Sequence, residues 1–188
     1  MGNILYINAN IRENSRTRIL AETVLKSFGG DVTEVCIAGS DIKPLNADTL
    51  ALRDRLISEG DYSHDIFKYA RAFAKADEIV LSAPYWDLSF PSVVKIYFEL
   101  VTVLGLTFTY TPQGIPKGLC RAKRLIYVTT AGGPVMEYNM GYDYVKALAG
   151  LYYGIPEVIC FKAENLDVYG ADVESIINKT IEEIKAAL

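Results

Sequence analysis

Residues 78–105 constrain this chain more than any other stretch. Ile79–Ala83 is a short apolar run closed by Pro84, the pattern of a fully buried strand. Pro91 stands where the first residue of a helix loses nothing by lacking an N–H. From Ser92 to Leu104 the apolar period is helical, and Gly105 offers a stop. Between strand and helix, Pro84–Ser89 holds the only Trp of the chain with a Tyr, an Asp and a Ser. An aromatic loop at the carboxyl end of a buried strand is where open α/β sheets bind ligands.

The 92–104 helix carries a second message. Lys95, Glu99 and Thr102 make one polar stripe, while Val93, Val94, Ile96, Tyr97, Phe98, Leu100, Val101, Val103 and Leu104 cover the rest. A helix with one face on a sheet and the other in water is about half apolar, so this one needs a second cover. A neighbouring helix of the same chain or a second subunit would serve, and the expectation is a subunit interface.

The remaining elements alternate. Strands are expected at Ile4–Ile7, Val32–Ile37, Arg124–Thr130 and Glu157–Lys162, all buried like 79–83. Helices are expected from the Ser15 cap to Phe28, from an Asp48 cap to Leu56, and over Ile66–Lys75, Asp143–Tyr153 and Val173–Leu188. Leu106–Tyr110 alternates like an exposed strand. Five strands separated by helices, without repeats or linkers, make one domain over 1–188: a doubly wound, five-stranded parallel sheet in a three-layer αβα arrangement. A flavodoxin-like order, 2-1-3-4-5, puts the binding crevice between the first and third strands. The loops Asn8–Asn14, Pro84–Ser89 and Thr130–Gly133 then meet at one edge.

Composition narrows the partners. With 188 residues and a net charge of −4, the chain offers no basic stripe for nucleic acid or an anionic membrane. Cys36, Cys120 and Cys160 lie far apart and His64 is the only histidine, so neither a disulfide framework nor a metal site is expected. The N-terminal run is too short and too uncharged for a secretory leader. The expected compartment is the cytoplasm.

Ser15, Arg16 and Thr17 at a helix start supply hydroxyls, a guanidinium and free N–H groups, a good phosphate cradle. Tyr85 and Trp86 offer flat surfaces, and Gly132-Gly133 lets a backbone come close. A phosphate at one end and a flat heterocycle at the other describe a mononucleotide, and FMN fits best.

At these residues the chain resembles the FMN-dependent NADH azoreductases, part of the broader flavodoxin-like NAD(P)H:quinone oxidoreductases. Ala83-Pro-Tyr-Trp-Asp-Leu-Ser-Phe-Pro91 is similar to the aromatic Ala-Pro loop of that family. Lys95-Ile-Tyr-Phe-Glu-Leu100 with Gly105-Leu-Thr-Phe-Thr-Tyr110, and Thr129-Thr-Ala-Gly-Gly133, resemble two further family segments in the same order. The resemblance implies a phosphate site at Asn10, Ser15, Arg16 and Thr17. It implies an isoalloxazine loop at Pro84, Tyr85, Trp86, Asp87 and Leu88, and a second flavin loop at Thr130, Ala131, Gly132 and Gly133. Tyr110 and Tyr152 match positions that line the substrate space. A homodimer is implied, with NADH or NADPH as co-substrate and quinones or azo compounds as acceptors. The chain departs from the family in Asn8-Ala9-Asn10, which replaces a Ser-rich loop, in Ala131, which replaces an Arg, and in Asp87, which replaces an Asn. Two placements of Asp87 stay open: a side chain in solvent, or a carboxylate at the pyrimidine edge of the flavin that would lower its potential.

The implied mechanism uses no protein nucleophile or acid–base pair; hydride passes through the flavin in two half-reactions. An alternative is a flavodoxin-type electron carrier serving protein partners, although the usual Thr/Ser-Gly phosphate loop is missing. A phospho-accepting receiver domain needs acidic residues where Asn8-Ala9-Asn10 and Ala83-Pro84 stand. A dinucleotide-binding Rossmann domain needs a G-x-G-x-x-G that the chain lacks.

Overall fold

The computed structural model describes residues 2–188. Met1, where the expected domain and the leader reading begin, lies outside the described residues. Strands β1 (Asn3–Asn8), β2 (Asp31–Cys36), β3 (Glu78–Ser82), β6 (Arg124–Thr130) and β7 (Glu157–Ala163) form a five-stranded parallel sheet in the order β2-β1-β3-β6-β7. This is the expected 2-1-3-4-5 order. A two-stranded antiparallel hairpin, β4 (Phe108–Tyr110) and β5 (Pro116–Gly118), stands apart from it.

Helices cover both faces, because each apolar face of a parallel sheet must be removed from water. On one side α1 (Arg16–Phe28) and α6 (Val173–Ala187) bury Leu20, Val24, Ile177 and Ile184 against Ile4, Tyr6, Val80, Ile126 and Val128. On the other, α3 (Lys68–Lys75), α4 (Ser92–Val101) and α5 (Met140–Leu148) pack Phe73, Tyr97, Phe98 and Val145 over Leu5, Ile7, Ile79, Leu81 and Leu125. The layers are therefore α-β-α.

Several expectations need correction. β2 is not buried: it is the sheet edge, and Val32 is 45% exposed. Helix α2 (Ala47–Glu59), which should cover it, buries only Leu56. Arg53 ties it to the end of α4, its guanidinium donating to the Glu99 and Thr102 carbonyls. The cap of α2 is Asn46, in a reciprocal capping box with Thr49, and Asp48 sits in the first turn. Helix α4 ends at Val101. Thr102 turns its hydroxyl inward to the Phe98 carbonyl and the Tyr153 hydroxyl, so it leaves the polar stripe. The helix expected over 143–153 starts earlier, at Met140 after the Asn139 cap, and its last turn, Ala149–Tyr153, is a π-helix.

The second cover of α4 is largely its own chain. Val94, Tyr97, Phe98 and Val101 are fully buried, Tyr97 against Tyr69 and Phe73, Phe98 against Tyr144 and Tyr153. Only Val93, Ile96 and Leu100 stay half-buried, with Leu104 exposed beyond the helix. Among the described residues no helix is long and apolar enough to cross a membrane, and no group of three or more His, Cys, Asp or Glu residues is placed to hold a metal ion.

Candidate functional site

A cleft of about 350 Å³ opens at the carboxyl ends of β1, β3 and β6. Its walls bring together Asn10, Ser15, Arg16, Thr17, Pro84, Tyr85, Trp86, Thr130, Ala131 and Gly132, ten of the residues singled out in the sequence. The volume lies in the range of small-molecule sites, about 300–1,000 Å³.

One end is a side-chain network. The Asn8 amide group donates to Glu34 Oε1 at 2.8 Å, and its Oδ1 accepts from both the backbone N–H (2.9 Å) and the side-chain amide (2.7 Å) of Asn10. Asn10 Nδ2 also donates to Ser82 Oγ at 2.6 Å, and Ser82 shares a hydrogen bond with the Tyr6 hydroxyl. Burial raises the pKa of the Tyr6 phenol, so it stays protonated. Ser15 donates to Asn10 Oδ1 at 3.0 Å while accepting from the Arg18 N–H as the cap of α1. Thr17 is buried and its hydroxyl meets that of Thr130 at 2.6 Å, a strut between α1 and β6. The first turn of α1 leaves backbone N–H groups without partners in the helix, and Arg12 and Arg16 add positive charge to the same end of the cleft.

The other end is shaped by backbone. Tyr85 N–H donates to the Thr130 carbonyl at 3.0 Å, and the Tyr85 hydroxyl to the Tyr138 carbonyl at 2.6 Å. Trp86 and Ser89 exchange backbone hydrogen bonds of 3.0 and 2.8 Å around a two-residue turn. Both central residues, Asp87 (φ 50°) and Leu88 (φ 67°), have positive φ, the hand of a type I′ turn. The Leu88 carbonyl accepts from Met140 N–H, so the turn is fastened to the start of α5. Trp86 is 43% exposed and leaves an aromatic surface open to the cleft.

A family model described as the flavodoxin-like fold matches residues 2–188. The chain belongs to this flavodoxin-like family. An FMN-dependent NADH:quinone oxidoreductase from Clostridium acetobutylicum is 34% identical over 197 residues, spanning 98% of this chain and 97% of that protein. Another, from Clostridium perfringens, is 34% identical over 192 residues, spanning 97% and 96%. The crystal structure of an azoreductase from Bacillus anthracis superposes with a TM-score of 0.84 at 25% identity, covering 100% of this chain and 98% of that one. The resemblance read from the loop sequences is borne out.

Not every residue singled out in the sequence reaches the walls of the flavodoxin-like cleft. Asp87 and Leu88 are exposed at the apex of their turn, and Gly133 is exposed beyond Gly132; none of the three is among the lining residues. Tyr110 and Tyr152 are not there either. They pack around Phe108, with ring centroids 5.5 and 5.0 Å from it. The reason is the direction of α4: running back along the sheet, it delivers the hairpin to the amino ends of the strands, opposite the cleft. There Arg121 and Lys123, just past the hairpin, bond the carbonyls of Ala74 and Asp77 ahead of β3.

Conversely, Leu166 and Asp167 line the cleft unanticipated. Arg16 Nη1 donates to Asp167 Oδ1 at 2.7 Å and to the Leu166 carbonyl at 3.3 Å. The signal was available in the strand order, which sets the end of β7 beside that of β6. The two end loops are in fact stitched together: Ala131 N–H bonds the Ala163 carbonyl, and Leu166 and Asp167 N–H bond those of Ala131 and Gly132. Glu164 completes the seam by accepting from Val135 N–H at 2.6 Å. Burial pushes the Glu164 carboxyl up, but that N–H and the Lys162 ammonium outweigh it, so it titrates below its ordinary range.

Proposed function

We propose that residues 1–188 act as one FMN-binding domain of an oxidoreductase that moves hydride from NADH, through bound flavin, to quinones, azo compounds or similar flat electron-poor acceptors. One observation carries this reading: three loops converge on a single cleft with an anion-attracting helix start at one end and aromatic walls at the other. The names of the relatives support the donor and the acceptor class.

The residues present fit FMN. Ser15, Arg16 and the amino end of α1 would take the phosphate, with Asn10 orienting Ser15 and Thr17 bracing α1 on Thr130. Pro84, Tyr85 and Trp86 would wall the ring on one side, with Ala131, Gly132 and Gly133 approaching through backbone. The Asp87-Leu88 turn, outside the cleft walls, would hold Trp86 in place through the backbone bonds between Trp86 and Ser89. When bound, the flavin supplies the two-electron chemistry; the protein's part is to position the rings, exclude water and set the electrostatics. No side chain is assigned a proton-transfer or nucleophilic role.

The deciding experiment is a titration followed by turnover. FMN fluorescence should quench on binding, and NADH oxidation should then depend on added quinone. A protein that leaves FMN fluorescence unchanged would sink the proposal, and one that binds FMN without NADH turnover would be a carrier.

The assembly proposed is a homodimer in a cytoplasmic setting, which the three free thiols suit. Its surface would include Val93, Ile96, Leu100 and Leu104, the apolar positions around α4 that the chain leaves uncovered. Tyr110 and Tyr152, at the opposite end of the strands from their own cleft, would then reach a substrate space only from a second copy. Light scattering should give twice the 20.8 kDa chain mass. Ile96→Glu with Leu104→Glu should shift the mass to that of one chain, since each buried unpaired charge costs several kcal/mol, roughly. A single-chain mass for the unaltered protein would refute the dimer.

A further inference from the structure

We propose that Asp167 is a built-in competitor for the phosphate end of the cleft, holding Arg16 with a carboxylate that an incoming phosphate must displace. The inference rests on the FMN reading and asks what controls how tightly that site holds an anion. Arg16 and Asp167 both line the cleft and meet at 2.7 Å, with side chains 41% and 65% exposed. Water and ligand therefore reach the pair.

Its geometry is set by the two end loops rather than by chance contact of long side chains. Asp167 is anchored through its own N–H on the Gly132 carbonyl at 2.9 Å, beside the Asn165-to-Gly133 and Leu166-to-Ala131 bonds. Its carboxylate occupies the space a side chain at 132 would need, with Oδ2 pressed against the place a Cβ would take. Only glycine at 132 leaves Asp167 this position. An ion pair so exposed adds little to folding, so its consequence falls on ligand binding.

A guanidinium offers phosphate a two-armed fork. Here one nitrogen, Nη1, is already shared by Asp167 Oδ1 and the Leu166 carbonyl. A phosphate arriving at the α1 start meets a partly satisfied arginine and a nearby negative charge. Both weaken its hold, and both act through the phosphate's charge, which riboflavin lacks. The balance between Asp167 and phosphate thus sets how far the site prefers FMN over the uncharged riboflavin, and how readily FMN exchanges.

The test is a pair of titrations, FMN and riboflavin, on the full chain and on Asp167→Asn and Asp167→Ala, at low and high salt. FMN should bind the variants about three- to ten-fold more tightly at low salt, with the gain shrinking as salt rises. Riboflavin should be unchanged, and adding Arg16→Ala should cancel the FMN gain. Equal tightening of both flavins, or weaker FMN binding, would overturn the inference; so would no change in the variants while the unaltered protein binds FMN. If the unaltered protein binds neither flavin, the cofactor reading itself fails and takes this inference with it.

Discussion

The two ends of the cleft are built from different materials. At the α1 end, position is held by side chains: Asn8 grips Asn10, Asn10 grips Ser15 and Ser82, and Ser82 meets Tyr6. Each partner is a specific donor or acceptor, and removing one strands the next in a partly buried setting. At the Trp86 end, position is held by backbone: a turn of reversed hand, the Tyr85-to-Thr130 bond, and the Leu88 carbonyl fastened to α5. There the path of the chain sets where the aromatic walls stand, with the Tyr85 hydroxyl bond to the Tyr138 carbonyl added to it. Side-chain identity should therefore dominate one end and backbone conformation the other.

The largest effect should come from Asn8→Ala. Asn8 is buried and answers three hydrogen-bonding groups; losing them should cost about 2 kcal/mol of stability, because buried polar groups left unpaired each cost about 1–3 kcal/mol. Urea denaturation measures this, and FMN affinity should fall with it while the near-ultraviolet signal of Trp86 changes little. A stability loss below about 0.5 kcal/mol would show that the network is not a strut.

A smaller effect, of opposite sign, is expected at the backbone end. Leu88 adopts positive φ, which costs an L-residue about 1–2 kcal/mol, whereas glycine there would lose about 0.5–1 kcal/mol in chain entropy. Leu88→Gly should raise stability by roughly 0.5–1 kcal/mol, seen as a higher melting temperature, with FMN affinity preserved. A clear loss of stability would mean that the Leu88 side chain itself holds the turn.

The smallest effect should be at Asp87. Its side chain is exposed at the turn apex and away from the cleft walls, so water screens its charge. Asp87→Asn should leave the two-electron midpoint potential of bound FMN within about 10 mV, under half a kcal/mol on the two-electron scale. A shift of several times that would place the carboxylate at the ring after all and dissolve the contrast between the two ends.

How far the sequence carries can be seen residue by residue. Pro84 and Pro91 mark where β3 ends and α4 begins, and the Ser15 cap and Gly29 bound α1; such signals are local steric facts, legible without partners. Alternating strands and helices settle the three-layer sheet, and the strand order then settles which loops converge. Other features depend on contacts between distant segments. The exposure of β2 follows from its place at the edge of the sheet, where Val32 shares a face with Ile4 but lies beyond the cover that α1 and α6 give to the inner strands. The burial of Val94 and Val101 depends on which elements pack over α4, and its apolar surface alone could not tell a neighbouring helix from a second subunit. Asp167 is an ordinary acidic loop residue until the Ala131–Gly132 backbone holds it against Arg16, 151 positions away in the chain. Periodicity, caps and breakers act within a few residues and so are written in the sequence; which charges meet and which apolar faces stay uncovered are decided only when the layers close.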